Sequence, residues 1–285
     1  MKYGLIGKTL KHSFSKEIHE KIGDYDYELC PLNEDELAKF FNEKNFLGVN
    51  VTIPYKKAVI PYLDYVSDGA KKIGAVNTVV NEDGVLKGYN TDYLGAKELI
   101  LRLGVNVKDK TALILGTGGT SDTLKAVLSD LGAKTVIKVS RTPRDEVISY
   151  DRATQEYKNA DIIVNTTPKG MYPDTDGLPI DLNNFDNLSG VIDVIYNPLN
   201  TRLVLAAREK GVPAVGGLYM LAAQAVHAYG LFTGKPVTAE ITEKVYRSVK
   251  SEKRNVVLTG MPSSGKTTIG KLLAEKLGRP FYDTD

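Results

Sequence analysis

The chain has 285 residues, 42% of them hydrophobic and 25% charged, with a formal net charge of +2; this describes a globular protein of about two domains and gives no reason to expect nucleic acid or an anionic membrane surface as a partner. Cys30 is the only cysteine, and His12, His19 and His227 are the only histidines, so a disulfide framework and a cysteine metal cluster are excluded and no metal site is expected. The opening MKYGLIGKTLKHSF is too polar for a secretory signal, and GGLYMLAAQAVHAYGLF carries Gln224 and His227 and reads as a buried helix rather than a membrane span, so a cytoplasmic protein is expected.

Short apolar runs alternate with helix-length patterns. The order begins with KYGLIG, a helix near 15–22, YDYELCPL, the helix EDELAKFFNEK and LGVNVTIP. A second series runs TALILG, a helix from about 120 to 131, TVIKVS, ADIIVNTT, GVIDVIY, TRLVLAAREKG and VPAVGG. Strands alternating with helices predict βαβ units and a parallel sheet, hence an α/β fold. The glycine-marked turn at 116–119 opens the second series and predicts a new domain starting near residue 94. YRSVKSEKRN, residues 246 to 255, is polar and charged and reads as a tether.

TALILGTGGTSDTLKAVLSDLGAKTVIKVSRT reads as strand, glycine turn, helix, strand. Gly116 and Gly118 let the turn tighten and let the backbone approach a pyrophosphate seated on the helix N-terminus. Ser121 takes the third glycine position and is small enough for close helix–strand packing. A glycine turn can also serve only to reverse the chain; the flanking strand and helix favour the dinucleotide reading. The second strand ends in Ser140, Arg141 and Thr142, with no carboxylate for a ribose 2′-hydroxyl. An arginine there accommodates a 2′-phosphate, so NADP is expected, although Arg141 on position alone also reads as a solvated surface arginine.

Polar residues stand elsewhere in places that packing does not ask for. KHSFSKEIH sets Ser13 and Ser15 two apart, either as paired hydroxyls or as helix caps. GVNVTIPYKKAV alternates Asn50 and Thr52 with apolar neighbours ahead of Lys56, which as a strand puts the asparagine and threonine on one face. GAVNTVV holds Asn77, and GYNTDYLG holds Asn90, Thr91 and Asp92, the last a candidate helix N-cap.

Taken in order, HSFS, NVTIPYK, AVNT, NTD, GTGGTS, SRT, NTTPKGM, DVIYNP and GGLYMLAAQA resemble the shikimate dehydrogenase family from residue 3 to about residue 247. The resemblance implies a substrate domain over 1–93, completed by 217–250, and a Rossmann-type NADP-binding domain over 94–216. It implies that Ser13 and Ser15 hold a substrate carboxylate, that Thr52, Asn77 and Gln224 hold ring hydroxyls, that Asn50 belongs to the substrate site, and that Tyr196 lines the pocket. Lys56 and Asp92 are implied as the catalytic pair. Gly116, Gly118, Gly119, Ser140, Arg141, Thr142, Asn165, Thr166, Met171, Gly217 and Met220 are implied at the cofactor. The expected activity is reversible NADP-dependent reduction of 3-dehydroshikimate, with a small-molecule substrate as the partner and a monomer or homodimer as the assembly. Quinate/shikimate dehydrogenation with NAD and a non-catalytic dinucleotide sensor are the alternatives. The chemistry itself asks for a lysine and a carboxylate: hydride delivery to a ketone builds charge on its oxygen, which an ammonium neutralises and protonates while the carboxylate orients it. Two departures from the family stand out. Asp122 occupies the first helical turn, where a basic residue is usual, so NADP affinity is expected to rest on Arg141, alone or with Arg144. Ser140 replaces the usual asparagine.

The last thirty residues change character. Gly260 to Thr267 spell G-x-x-x-x-G-K-T, a phosphate loop with Gly265, Lys266 and Thr267 as its working positions. VVLTG before it predicts a strand, KTTIGKLLAEKLG an amphipathic helix and RPFYDTD a second strand ending in Asp283 and Asp285. This order resembles the N-terminus of shikimate kinase, which makes residues 254–285 a cut-short, P-loop strand–helix fragment. The fragment is expected to be vestigial and catalytically silent, because most of the cage that phosphoryl transfer requires is missing. ATP hydrolysis by this loop is a third functional alternative.

Overall fold

In a computed structural model, which describes residues 1–10, 14–23 and 25–283, the first apolar runs become β1 (Tyr3–Gly7), β2 (Tyr27–Pro31) and β3 (Gly48–Val51), with α1 (Ser15–Ile22) and α2 (Glu36–Glu43) as crossovers. β4 (Tyr65–Val66), α3 (Asp68–Ile73), β5 (Thr78–Glu82) and β6 (Val85–Tyr89) complete a six-stranded sheet in the order β2-β1-β3-β5-β6-β4. β1 runs parallel to β2 and β3, whereas β5 is antiparallel to both β3 and β6. The sheet is therefore mixed rather than wholly parallel. The cause is local: Asp83 and Gly84 both take positive φ, 51° and 88°, which gives the two-residue turn that folds β5 back on β6. Ile6, Val49, Val51, Val79 and Leu86 line one face under Phe41 and Phe46. Leu5, Val80 and Tyr27 line the other.

The second half begins with α4 (Thr91–Leu103), β7 (Thr111–Leu115), α5 (Gly119–Asp130) and β8 (Thr135–Val139). β9 (Val147–Ile148), α6 (Tyr150–Glu156), β10 (Ile162–Asn165), β11 (Gly190–Asp193), α7 (Arg202–Glu209) and β12 (Ala214–Gly216) follow. The strands form an all-parallel sheet ordered β12-β11-β10-β7-β8-β9. That is the doubly wound order of dinucleotide-binding folds, and it reverses between β7 and β10, where such sheets open a crevice for ligands.

α8 (Leu218–Thr233) is the apolar stretch with Gln224 and His227, and it is a helix buried in the fold. Its Tyr219, Met220 and Ala223 pack with Leu99 and Ile100 of α4 on one face of the parallel sheet, while Ala228 and Phe232 cover the mixed sheet. Gly95 makes the crossing of α4 and α8 possible, since a Cβ there would lie 2.6 Å from the Met220 carbonyl oxygen. No described helix is long and apolar enough to cross a membrane.

Two sequence expectations fail at the C-terminal end. α9 (Ala239–Glu252) runs through most of the expected tether. The reason is a helical apolar stripe, Val245 and Val249, that buries against Ile18 and α8. The Arg102 guanidinium also stacks on Tyr219 and Tyr246, 4.3 and 4.7 Å from the ring centroids. Residues 1–251 form one compact unit and 252–285 another. In the second, α10 (Lys266–Leu277) is the expected helix, but neither VVLTG nor residues 279–283, the described part of RPFYDTD, form a strand. A strand is held by its neighbours, and two short runs on one helix have too few partners. Val257, Ile269 and Leu272 are accordingly more than half exposed.

Candidate active site

Asp92 lies in the first turn of α4, but it is not the cap. Asn90 is: its Oδ1 accepts from the Tyr93 amide at 3.1 Å, and its Nδ2 donates to the Ala75 carbonyl at 2.9 Å. The Asp92 carboxylate is thereby left for Lys56, whose Nζ donates to Oδ2 at 2.5 Å. Lys56 stands in the turn after β3, pinned by the Val76 amide on its carbonyl at 2.8 Å. The two side chains are 29% and 21% exposed, so the pair is reachable from solvent yet mostly enclosed.

Behind this pair runs a buried polar chain. The Thr91 amide donates to Asn77 Oδ1 at 2.7 Å, and Asn77 Nδ2 donates to Thr91 Oγ1 at 3.1 Å. Thr78 Oγ1 donates to Asn77 Oδ1 at 3.0 Å, Asn50 Nδ2 donates to Thr78 Oγ1 at 3.0 Å, and the Tyr27 hydroxyl donates to Asn50 Oδ1 at 2.7 Å. Asn50 and Asn77, expected as substrate ligands, are thus buried with their amides engaged inside the protein. These bonds tie β3, β5 and the head of α4 together. Thr78 was not visible in the sequence, because it sits inside the apolar run TVV and only the antiparallel register Asn50↔Thr78 brings it to Asn50. Thr52 falls one residue past β3, its amide bonded to the Ile6 carbonyl at 2.9 Å. Gln224 is nearly buried on α8, with Nε2 donating to the Leu221 carbonyl at 3.0 Å. Tyr196 packs its ring on Phe14, centroids 5.3 Å apart, and burial pushes its phenol up. Ser15 is the first residue of α1; Ser13 lies outside the described residues.

At the parallel sheet the two loops of the switch point touch. Gly116 has φ 111°, and a Cβ there would stand 2.7 Å from Thr166 Oγ1, so glycine is required twice over. Its amide donates to the Val139 carbonyl at 2.8 Å, and Thr166 Oγ1 donates to the Leu115 carbonyl at 2.7 Å. Gly118 and Gly119 open α5 with empty space where their Cβ atoms would point. The first amides of that helix have no intrahelical acceptor, and this bare, glycine-lined helix end fits a pyrophosphate. Ser121, wholly buried, donates to the Gly118 carbonyl at 2.6 Å. Past β8, Ser140 Oγ accepts from the Thr142 amide at 3.1 Å, and Arg141 is exposed.

Three expected cofactor residues have structural work. Asn165 is fully buried: Oδ1 accepts from the Thr167 amide at 3.0 Å, and Nδ2 donates to Asp193 Oδ1 at 3.0 Å. Gly217 heads α8, where a Cβ would collide with the Val194 carbonyl at 2.0 Å. Met220 lies in the α4–α8 core, whereas Met171 is exposed beyond β10. Asp193, which the sequence did not single out, also accepts from Thr201 Oγ1 at 2.6 Å and the Ile195 amide at 3.1 Å. Burial raises its carboxyl to about 6, against the pull of those hydrogen bonds. No group of metal-ligating side chains occurs among the described residues.

In the second unit, Ser263 and Gly265 take positive φ, 62° and 81°, in the phosphate loop. Lys266 Nζ folds back on the carbonyls of Gly260 and Met261 at 3.1 and 3.0 Å. Thr267 Oγ1 donates to Asp283 Oδ2 at 3.2 Å. Asp285 lies outside the described residues.

Two families match separate parts of the chain. The shikimate dehydrogenase substrate binding domain family matches residues 5–79, and the shikimate kinase family matches residues 262–285. The NADP(+) shikimate dehydrogenase of Clostridium beijerinckii is 37% identical over 266 residues, covering 88% of this chain and 98% of its own. Among solved structures, a chorismate mutase/shikimate 5-dehydrogenase fusion protein from Clostridium acetobutylicum superposes with a TM-score of 0.83 at 34% identity, covering 89% of this chain and 98% of its own. The shikimate 5-dehydrogenase of Thermus thermophilus, in complex with NADP(H) and shikimate, gives 0.76 at 30%, covering 87% and 99%. At this identity and coverage, the chain belongs to the shikimate dehydrogenase family.

Proposed function

We propose that the chain reduces 3-dehydroshikimate to shikimate with NADPH, reversibly, and that Lys56 and Asp92 are its catalytic pair. The observation that carries this reading is the 2.5 Å contact between the Lys56 ammonium and the Asp92 carboxylate at the head of α4. The nicotinamide supplies the hydride. Lys56 faces the ketone oxygen, offsets the charge that gathers there and delivers a proton to it. Asp92 keeps the ammonium aimed. Ser13 and Ser15 hold the substrate carboxylate, Thr52 and Gln224 its hydroxyls, and Tyr196 closes the wall. Asn50 and Asn77 act mainly by fixing Thr91 and so Asp92. Residues 1–93 with 217–250 form the substrate domain, residues 94–216 the NADP domain, and the enzyme works in the cytoplasm.

The Clostridium beijerinckii and Thermus thermophilus relatives support NADP as the cofactor. A quinate dehydrogenase from Corynebacterium glutamicum in complex with NAD has a TM-score of 0.78 at 29% identity, which keeps quinate with NAD as a second reading. Comparing turnover of shikimate and quinate with NADP+ and NAD+ separates the two. Shikimate with NADP+ should be preferred; a strong NAD+ preference overturns the role of Arg141. For residues 254–285 we propose a shikimate-kinase-like phosphate loop that captures an anion but does not turn over ATP. Phosphate release from ATP by the purified chain refutes that part.

A further inference from the structure

Asp122 is an anomaly for a phosphate site. It lies in the first turn of α5, its amide 3.3 Å from the Gly118 carbonyl. An acid in a first helical turn normally favours the helix by up to about 1 kcal/mol, but an uncovered carboxylate there repels a cofactor phosphate nearby. The structure places a partner on it. Lys138, on β8, donates to Asp122 Oδ1, and the lysine side chain is only 15% exposed.

The placement of Lys138 follows from register. Lys138 pairs with Ile114 and shares its face of the sheet with Val136, the face that α5 covers, whereas Val139 points to the opposite core. The Val139 carbonyl holds the Gly116 amide at 2.8 Å. Lys138 is thus one residue from the strand tip that anchors the glycine turn, and three residues before Arg141. The remaining acids nearby are Asp145 and Glu146, beyond Arg144. Glu146 is met by Lys125 of α5 at 3.4 Å. Lys138 and Lys125 thus each cover an acid, and no ion pair engages Arg141 or Arg144 among the described residues.

We infer that Lys138 is a cofactor-specificity residue: by neutralising Asp122 it keeps an acid from opposing the 2′-phosphate and so favours NADP over NAD. The inference rests on the dinucleotide reading above. A 2′-phosphate carries about two negative charges near neutral pH, where a ribose hydroxyl carries none, so an uncovered Asp122 repels NADP+ far more than NAD+.

The test is calorimetric titration of the purified full chain with NADP+ and NAD+. Lys138→Met keeps the buried stem and removes the charge. It should weaken NADP+ about tenfold, equivalent to 1.4 kcal/mol, and leave NAD+ within about twofold. Asp122→Asn should bind NADP+ at least as tightly as wild type. The double variant Asp122→Asn with Lys138→Met contains no orphaned charge and should recover most of the lost NADP+ affinity. Equal weakening of both dinucleotides by Lys138→Met, or a double variant as weak as the single one, overturns the inference. Failure of wild type to bind either dinucleotide instead overturns the reading beneath it.

Discussion

Acidification from about pH 7 to about pH 5 should remove about 2 kcal/mol of stability from residues 1–251 through His19 alone. The imidazole is fully buried, stacked on Tyr27 at 3.9 Å, with Nδ1 bonded to the Tyr25 hydroxyl and Nε2 without a hydrogen-bond partner among the described residues. Burial lowers its pKa from 6.5 to about 3, and the neighbouring Asn50 offsets only part of that. Tyr25 and Tyr27, whose phenols burial pushes up, face it uncharged. A base with a lowered folded pKa stabilises the fold above its unfolded value and loses that contribution as pH falls toward the folded one. Below 6.5 the unfolded chain binds a proton that the folded chain refuses, a slope of about 1.4 kcal/mol per pH unit. Urea unfolding of wild type and His19→Phe at both pH values isolates the effect, because phenylalanine keeps the stacked ring and does not titrate. The variant should lose about 2 kcal/mol less than wild type over the interval, whatever its stability at neutral pH. Equal losses in the two proteins would refute the reasoning.

Asp193 works in the opposite sense: its raised carboxyl contributes stability below the unfolded value of 3.8 that is lost as pH rises through about 6. Asp193→Asn should therefore gain on wild type between about pH 4 and about pH 7, which urea unfolding at the two values checks. Gly116→Ala combines a φ of 111° with a Cβ 2.7 Å from Thr166 Oγ1; it should lower stability by about 1–3 kcal/mol and weaken NADP+ in a binding titration. Lys266→Ala should leave shikimate oxidation unchanged within error, since Lys266 belongs to the second unit and bonds its own loop; a large loss would show that the loop acts on the dehydrogenase site.

Period and turn chemistry made most of the first 251 residues legible. Strand–glycine–helix–strand at 111–139 is what the structure contains, down to the open space over Gly118 and Gly119. The β5–β6 hairpin carried its own signal, Asp83-Gly84 between TVVNE and VLKGY, which the alternation of strands and helices obscured. Polar residues in apolar strands were harder to read. Asn50 looks the same in sequence whether it meets a ligand or Thr78, and only strand pairing distinguishes the two. Lys138 and Asp193 were invisible for the same reason, each being defined by a partner on another element. At the C-terminal end, composition misled in both directions. A charged stretch became helix because Val249 found a core, and VVLTG formed no strand because it found none.

The central claim is that Lys56 delivers the proton while other residues hold the cofactor. It is tested most directly by measuring kcat for NADP+-dependent shikimate oxidation in Lys56→Ala beside an NADP+ titration of the same variant. The kcat should fall by about 10²- to 10⁴-fold, with the NADP+ dissociation constant changed by no more than about twofold. Turnover within about tenfold of wild type, or loss of NADP+ binding in step with activity, would contradict it.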